Sequence, residues 1–171
     1  MKRILWVGLL GLLLTGCSAQ PTFETVDDMQ VVAEAPQVQQ VLLELPKEAQ
    51  LQTAGIDSMD KLYLCDGYTV SVQIMEAGDL DKTLRSTTGY GREALTVMQT
   101  MAPTGECYQC VWATAGEGQT QVGRTCILDD GNYHYALTVL TPEKDSGALA
   151  TQVQNLLDSF RIVDPSISTG S

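Results

Sequence analysis

A single histidine, His134, stands in the chain of 171 residues, so any mechanism that needs an imidazole has one candidate to draw on. Positive charge is scarce as well: ten Lys and Arg face 21 Asp and Glu, a net charge of −11. This excludes nucleic acid as a partner, because binding there depends on Lys and Arg neutralising phosphates. No Gly-x-Ser-x-Gly context presents a nucleophile. Gly89-Tyr90-Gly91 is not a phosphate loop, since it lacks the Lys and Ser/Thr that such a loop requires. No apolar run reaches the roughly 20 residues that span a bilayer. What is present is an apolar content of 44% with a mean hydropathy of −0.01, which suits a chain able to bury a core. At this length there is room for one modest domain plus extras, and not for two ordinary domains.

The first extra is a leader. Lys2 and Arg3 form a positive n-region, and residues 4–14 form an apolar stretch of the length of a signal-peptide core. Leu14-Thr15-Gly16-Cys17 then resembles the lipobox of bacterial lipoproteins: a bulky residue, two small ones that fit a peptidase pocket, and a cysteine. The resemblance implies that residues 1–16 are a signal peptide, that the Cys17 thiol receives a diacylglyceryl group, and that Cys17 becomes the acylated N-terminus. Two acyl chains anchor stably where one is marginal. The expected place is the outer leaflet of the cytoplasmic membrane or an outer membrane, on the extracytoplasmic side.

Removal of the leader takes away two positive charges, so the mature chain carries −13 (8 minus 21). Residues 17–37 hold Glu24, Asp27, Asp28 and Glu34, no Lys or Arg, and the breakers Pro21 and Pro36. This composition reads as the lipidated cysteine followed by a flexible acidic tether. Residues 26–35 also fit a short helix docked on the domain. The end, 165–171, reads as a frayed tail.

Between them, residues 38–164 form the expected domain, and their periodicity changes in an ordered way. Residues 41–45 are a β-type run closed by Pro46. Residues 61–65 and 68–75 read as a hairpin around Asp66-Gly67, a dipeptide that tolerates positive φ. In the second arm Tyr68, Val70, Val72 and Ile74 alternate with polar residues, one face buried and one wet. Asp79 can cap a short helix through Leu80 and Leu84 that Gly89 stops. Strands follow at about 95–101, 107–115, 120–128 and 133–140. After Pro142 the period becomes helical, with Leu149, Val153, Leu156, Leu157 and Phe160 on one face. The predicted class is α+β: a mostly antiparallel sheet with a short helix after an N-terminal hairpin and a long C-terminal helix.

That order resembles the PsbP-like domains, named after the extrinsic protein of photosystem II. The residues that carry the resemblance are Leu43-Glu44-Leu45-Pro46, the meander ending Asp130-Gly131-Asn132-Tyr133-His134-Tyr135-Ala136-Leu137, and the closing Leu156-Leu157-Asp158-Ser159-Phe160-Arg161-Ile162. It implies a compact extracytoplasmic module that works by binding. The cysteine set departs from the photosynthetic members, so nothing about photosystems transfers.

With Cys17 lipidated, Cys65, Cys107, Cys110 and Cys126 remain, an even number in an exported protein. Two disulfides are the expectation, with three connectivities open. Cys107 and Cys110 are not expected to pair with each other, because three residues along a strand separate them by about 10 Å and turn them to opposite faces. Cys107-Tyr108-Gln109-Cys110 also matches the CxxC spacing of thiol-disulfide oxidoreductases, although the following Val111-Trp112-Ala113-Thr114 reads as strand rather than helix. A zinc site from Cys107, Cys110, Cys126 and either Cys65 or His134 has suitable ligand types, but an oxidising compartment favours disulfides. Asp129-Asp130-Gly131-Asn132 lacks the alternate acids and distal Glu of a calcium loop and reads as a hairpin turn. Tyr90, Tyr108, Trp112 and His134 form a candidate binding patch, His134 as a half-exposed strand residue. No catalytic set, metal or cofactor is expected. The sequence reads as a non-enzymatic binding or assembly module with a protein or small-molecule partner, the alternative being a thiol-disulfide oxidoreductase or redox partner using Cys107 and Cys110.

Overall fold

The structure is a computed structural model that describes residues 36–52, 60–115 and 118–163. The leader, Cys17, residues 18–35 of the tether, the turn residues 116–117 and the end after residue 163 lie outside the described residues. Within them the elements run β1 (Val41–Leu42), β2 (Gln50–Gln52), β3 (Lys61–Cys65), β4 (Tyr68–Glu76), α1 (Leu80–Thr88), β5 (Val97–Ala102), β6 (Gly105–Ala115), β7 (Thr120–Asp129), β8 (Tyr133–Pro142), α2 (Ala150–Ser159) and β9 (Arg161–Ile162). Seven strands make one antiparallel sheet in the order β2-β3-β4-β8-β7-β6-β5, and β1 pairs with β9 as a separate two-stranded ribbon.

Local chemistry sets the first half. Gly67 takes φ 81° in the turn between β3 and β4, a left-handed conformation without steric cost for glycine. The Asp79 carboxylate accepts the backbone N–H of Asp81 at 3.0 Å and so caps α1, and Gly89 ends the helix with its own N–H on the carbonyl of Arg85. The chain leaves β4 near the sheet centre, passes over β8 and β7 as α1, and re-enters at the far edge as β5. The β5-to-β8 meander then brings it back beside β4.

That crossover gives the sheet two buried faces. On one, α2 lays Val153, Leu156 and Leu157 over Tyr68, Val70 and Val72 of β4 and over Tyr135, Leu137 and Val139 of β8. On the other, the fully buried Leu84 of α1 covers Tyr108, Cys110, Ile127 and Ala136. Each large side chain withdrawn from water in this way contributes about 2 kcal/mol. The alternation in β8 assigned His134 a face of its own and, with it, partial exposure. The structure corrects this: β8 is the middle strand, α1 covers its second face, and His134 is 1% exposed. The polar face of β4 is likewise half-buried rather than wet.

Two further departures concern the chain ends. Of the expected 41–45 run only Val41 and Leu42 are strand, because Leu43 and Leu45 turn inward onto the α2-side core. Their pairing partner, β9, follows α2 at once: Phe160 is already extended, and the N–H of Val163 reaches the carbonyl of Gln40 at 2.8 Å. Among the described residues, no helix is long and apolar enough to cross a membrane.

Candidate binding groove

Between the β1–β9 ribbon and the β5–β6 turn lies a groove of about 710 Å³. Leu128 of β7, Phe160 and Ile162 line its inner side, each no more than 5% exposed. One wall is Leu42, which leaves 40% of its surface in solvent, and the other is Ala102-Pro103-Thr104. Asp158 and Arg161 add one charge of each sign. Gly105 holds the second wall in place: at φ 147° it packs so closely on β7 that a Cβ would collide with the backbone carbonyl of Asp129. The volume lies within the range of small-ligand clefts, and a mostly apolar lining with few charged groups is their usual composition. Asp158 accepts from the side-chain amide of Gln154 at 2.8 Å. The groove's chemistry is apolar contact with a polar rim.

The sequence-predicted residues lie elsewhere. Tyr90 and Trp112 do meet, with ring centroids 6.2 Å apart and planes tilted by 59°. The Tyr90 hydroxyl donates to the carbonyl of Ala113, and the Trp112 indole donates to Thr125 Oγ1 at 3.0 Å. Tyr108 is buried, its hydroxyl donating to the Glu106 carboxylate, and that contact together with burial pushes its pKa up to about 12. His134 lies under α1 between two partners: Nδ1 is 2.7 Å from Thr83 Oγ1, and Nε2 is 3.3 Å from Asp129 Oδ2. Of the four aromatics proposed as a patch, only Tyr90 is exposed, so they do not form an open surface.

The thiols separate by face. Cys107 and Cys110 sit on β6 and point to opposite sides, Cys107 into the α2-side core and Cys110 toward α1. Neither is at a helix N-terminus, and both are buried, so the CxxC spacing does not create the exposed thiol of an oxidoreductase. The Sγ atoms of Cys107 and Cys126 are 3.6 Å apart across β6 and β7. Contact with Cys107 and burial push the Cys126 thiol above the ordinary range, while the same contact lowers Cys107 to about 6. Burial alone raises Cys110 to about 11. All four domain cysteines are free thiols here.

The expectation of two disulfides therefore needs correction. Cys65 on β3 and Cys110 on β6 are four strands apart, about 19 Å at roughly 4.8 Å per strand, and they face opposite sides. No side-chain rotation bridges that distance. Cys110 and His134 face α1 whereas Cys107 and Cys126 face the α2-side core, so among the described residues the zinc donor set is not assembled. In the Asp129–Asn132 turn the carboxylates are already engaged. Asp129 accepts the N–H of Gly131, and Asp130 accepts those of Asn132 and Tyr133 together with the Tyr135 hydroxyl.

No family model matches the chain, and no curated protein is similar to it in sequence. Among solved structures, cyanobacterial PsbP (CyanoP) from Synechocystis sp. PCC 6803 is similar, with a TM-score of 0.53 at 10% identity over 72% of this chain and 86% of that one. A crystal structure from Bacteroides thetaiotaomicron VPI-5482 overlaps with a TM-score of 0.51 at 11% identity over 74% of this chain. The chain spans only 46% of that protein's length. LpqN of Mycobacterium tuberculosis, involved in cell envelope biogenesis, gives a TM-score of 0.49 at 11% identity over 77% of this chain and 88% of its own. At such identities the likeness is one of fold: a PsbP-like α+β arrangement of mostly antiparallel sheet with two helices.

Proposed function

We propose that this is an extracytoplasmic lipoprotein, anchored through acylated Cys17, whose domain of residues 38–164 acts as a non-enzymatic binding or assembly module. The observation that carries the reading is the groove of about 710 Å³, which offers apolar surface and two opposite charges and holds neither histidine nor cysteine. The residues suited to catalysis are placed for architecture instead. His134 is enclosed between Thr83 and Asp129, and the CxxC thiols are buried on opposite faces of one strand. The n-region, the apolar stretch and the lipobox support the anchor, and the acidic, cation-free composition of residues 17–37 supports a tether between it and the domain.

The test is a photo-crosslinking amino acid placed at Thr104 on the groove wall, in the tethered protein in its own membrane. A discrete crosslinked product that disappears in Leu42→Arg supports the groove as the binding site. Identical crosslinking with and without that substitution refutes it. Leu42 is 40% exposed, so the variant leaves the core intact.

A further inference from the structure

We infer that the open edge of the sheet at β5 receives an extended strand from a partner protein, and that this strand presents a carboxylate to Arg124. The inference rests on the binding-module reading and names the partner's chemistry.

Among the described residues β5 is the last strand of the sheet on its side, and its own sequence carries none of the features that normally protect an edge. Val97-Met98-Gln99-Thr100-Met101-Ala102 holds no charge, no proline and no bulge, and it pairs with β6 without interruption. The register fixes which backbone groups stay open. Ala102 pairs with Gly105 across a two-residue turn, so Ala102, Thr100 and Met98 direct their N–H and C=O groups to β6. Those of Val97, Gln99 and Met101 point outward. A row of alternating donors and acceptors at that repeat is matched by a polypeptide backbone in extended form. The side chains agree: Met98 is 60% exposed and Met101 76%, on opposite faces of the edge, where an added strand would cover both.

Two hollows border this edge on the α2 side. One is the groove described above, reached at Ala102. The other, of about 310 Å³, lies at Met98 and is lined also by Val111, Leu157 and Arg124. Met98 and Ala102 are four residues apart on the same face, so residues p and p+4 of an added strand would meet the two hollows. Arg124 is half-buried and has no ion pair or hydrogen-bond partner among the described residues. It supplies the only charge among the described residues that line its hollow, on a mature chain of net −13. That local positive charge calls for an acid at one of the two positions and an apolar residue at the other. The same net charge makes a second copy of the chain a poor occupant, since like-charged molecules repel.

The probe is a nine-residue peptide of alternating threonine and valine with glutamate at position three and leucine at position seven, titrated into the purified full chain. Binding read by fluorescence anisotropy, with slowed amide exchange at Val97, Gln99 and Met101, is the expected result. Gln99→Pro removes one outward N–H without breaking a backbone bond to β6 and loses only the exposed side-chain bond of Gln99 to Glu106, so the fold survives while affinity falls about tenfold, the upper value for a single hydrogen bond. Met101→Lys, which charges the edge, gives the same loss by an independent route. Arg124→Gln weakens the glutamate peptide several-fold and leaves a glutamine analogue unchanged. Peptide binding that ignores Gln99→Pro and Met101→Lys yet is lost in Leu42→Arg overturns the strand edge while sparing the groove. A concentration-dependent dimer abolished by Gln99→Pro also overturns the assignment, because the occupant is then a second copy.

Discussion

The imidazole of His134 and the hydroxyl of Thr83, fifty-one residues apart in sequence, meet at 2.7 Å between the sheet and the helix that covers it. Asp129 on the other side of the ring fixes the roles. A carboxylate only accepts, so in the neutral ring Nε2 carries the proton, Nδ1 accepts, and Thr83 donates. The three residues thus join β7, β8 and α1 through one buried polar chain.

Thr83→Val removes the donor and keeps the shape, leaving a buried ring nitrogen without its partner. The expected loss is about 1 to 3 kcal/mol of unfolding free energy by urea denaturation. Thr83→Ser retains most of the stability. Equal stability of the valine and serine variants would show that the contact contributes nothing.

Alkaline pH tests the burial of Cys110. Its thiol is raised from 9.0 to about 11 by desolvation, so the folded state holds a proton that the unfolded chain releases above pH 9. The stabilisation is complete below pH 9 and is lost as pH rises from there to about 11, amounting to roughly 2 to 3 kcal/mol over two pH units. Tyr68 and Tyr135, both raised to about 12, extend the decline upward from pH 10. In Cys110→Ala the melting temperature falls less steeply between pH 9 and 10 than in the parent chain, the remaining slope coming from the raised thiols of Cys126 and Cys65. Parallel curves for the two proteins would contradict this.

Cys107 and Cys126 are the pair that oxidises. Chain purified from an oxidising compartment and then denatured without reductant should titrate two domain thiols, Cys65 and Cys110, in a thiol assay. Peptide mapping should recover a single 107–126 bridge. Its nineteen-residue separation corresponds to about 3 kcal/mol of stabilisation through the unfolded chain, lost on adding reductant. Four titratable thiols would show that the pair stays reduced and overturn this prediction, and a bridge to Cys65 would be incompatible with the sheet order.

Cys17→Ser should abolish metabolic labelling with a radioactive fatty acid and leave a precursor that retains residues 1–16. Labelling that persists in the variant, or a parent chain that fractionates without detergent, removes the anchor.

Much of the fold was legible because its signals are local. Asp66-Gly67, the Asp79 cap and the Gly89 stop each act within a few residues, and the structure uses all three. The two shortest pairings were not legible. Gln50–Gln52 has no alternation to read, and Arg161–Ile162 reads as the fraying end of a helix until its partner at Val41 and Leu42 is known. His134 was misplaced for a related reason: alternation tells which side chains share a face, but not whether something distant covers it. The candidate groove was invisible in sequence because Leu42, Pro103, Leu128 and Phe160 form no motif and meet only through tertiary packing.

The ribbon of β1 and β9 joins the first strand of the domain to the last. Because Leu42 stands on one side of the groove and Phe160, Ile162 and Val163 on another, no chain that lacks β1 or stops before β9 contains the site. A ribosome reading from the N-terminus supplies the sheet strand by strand, yet the groove comes into being only when its final residues arrive. A nascent or clipped protein that has built β2 to β8 but stops before β9 thus lacks one side of the groove, and binding competence itself reports that the chain has been made as far as Val163.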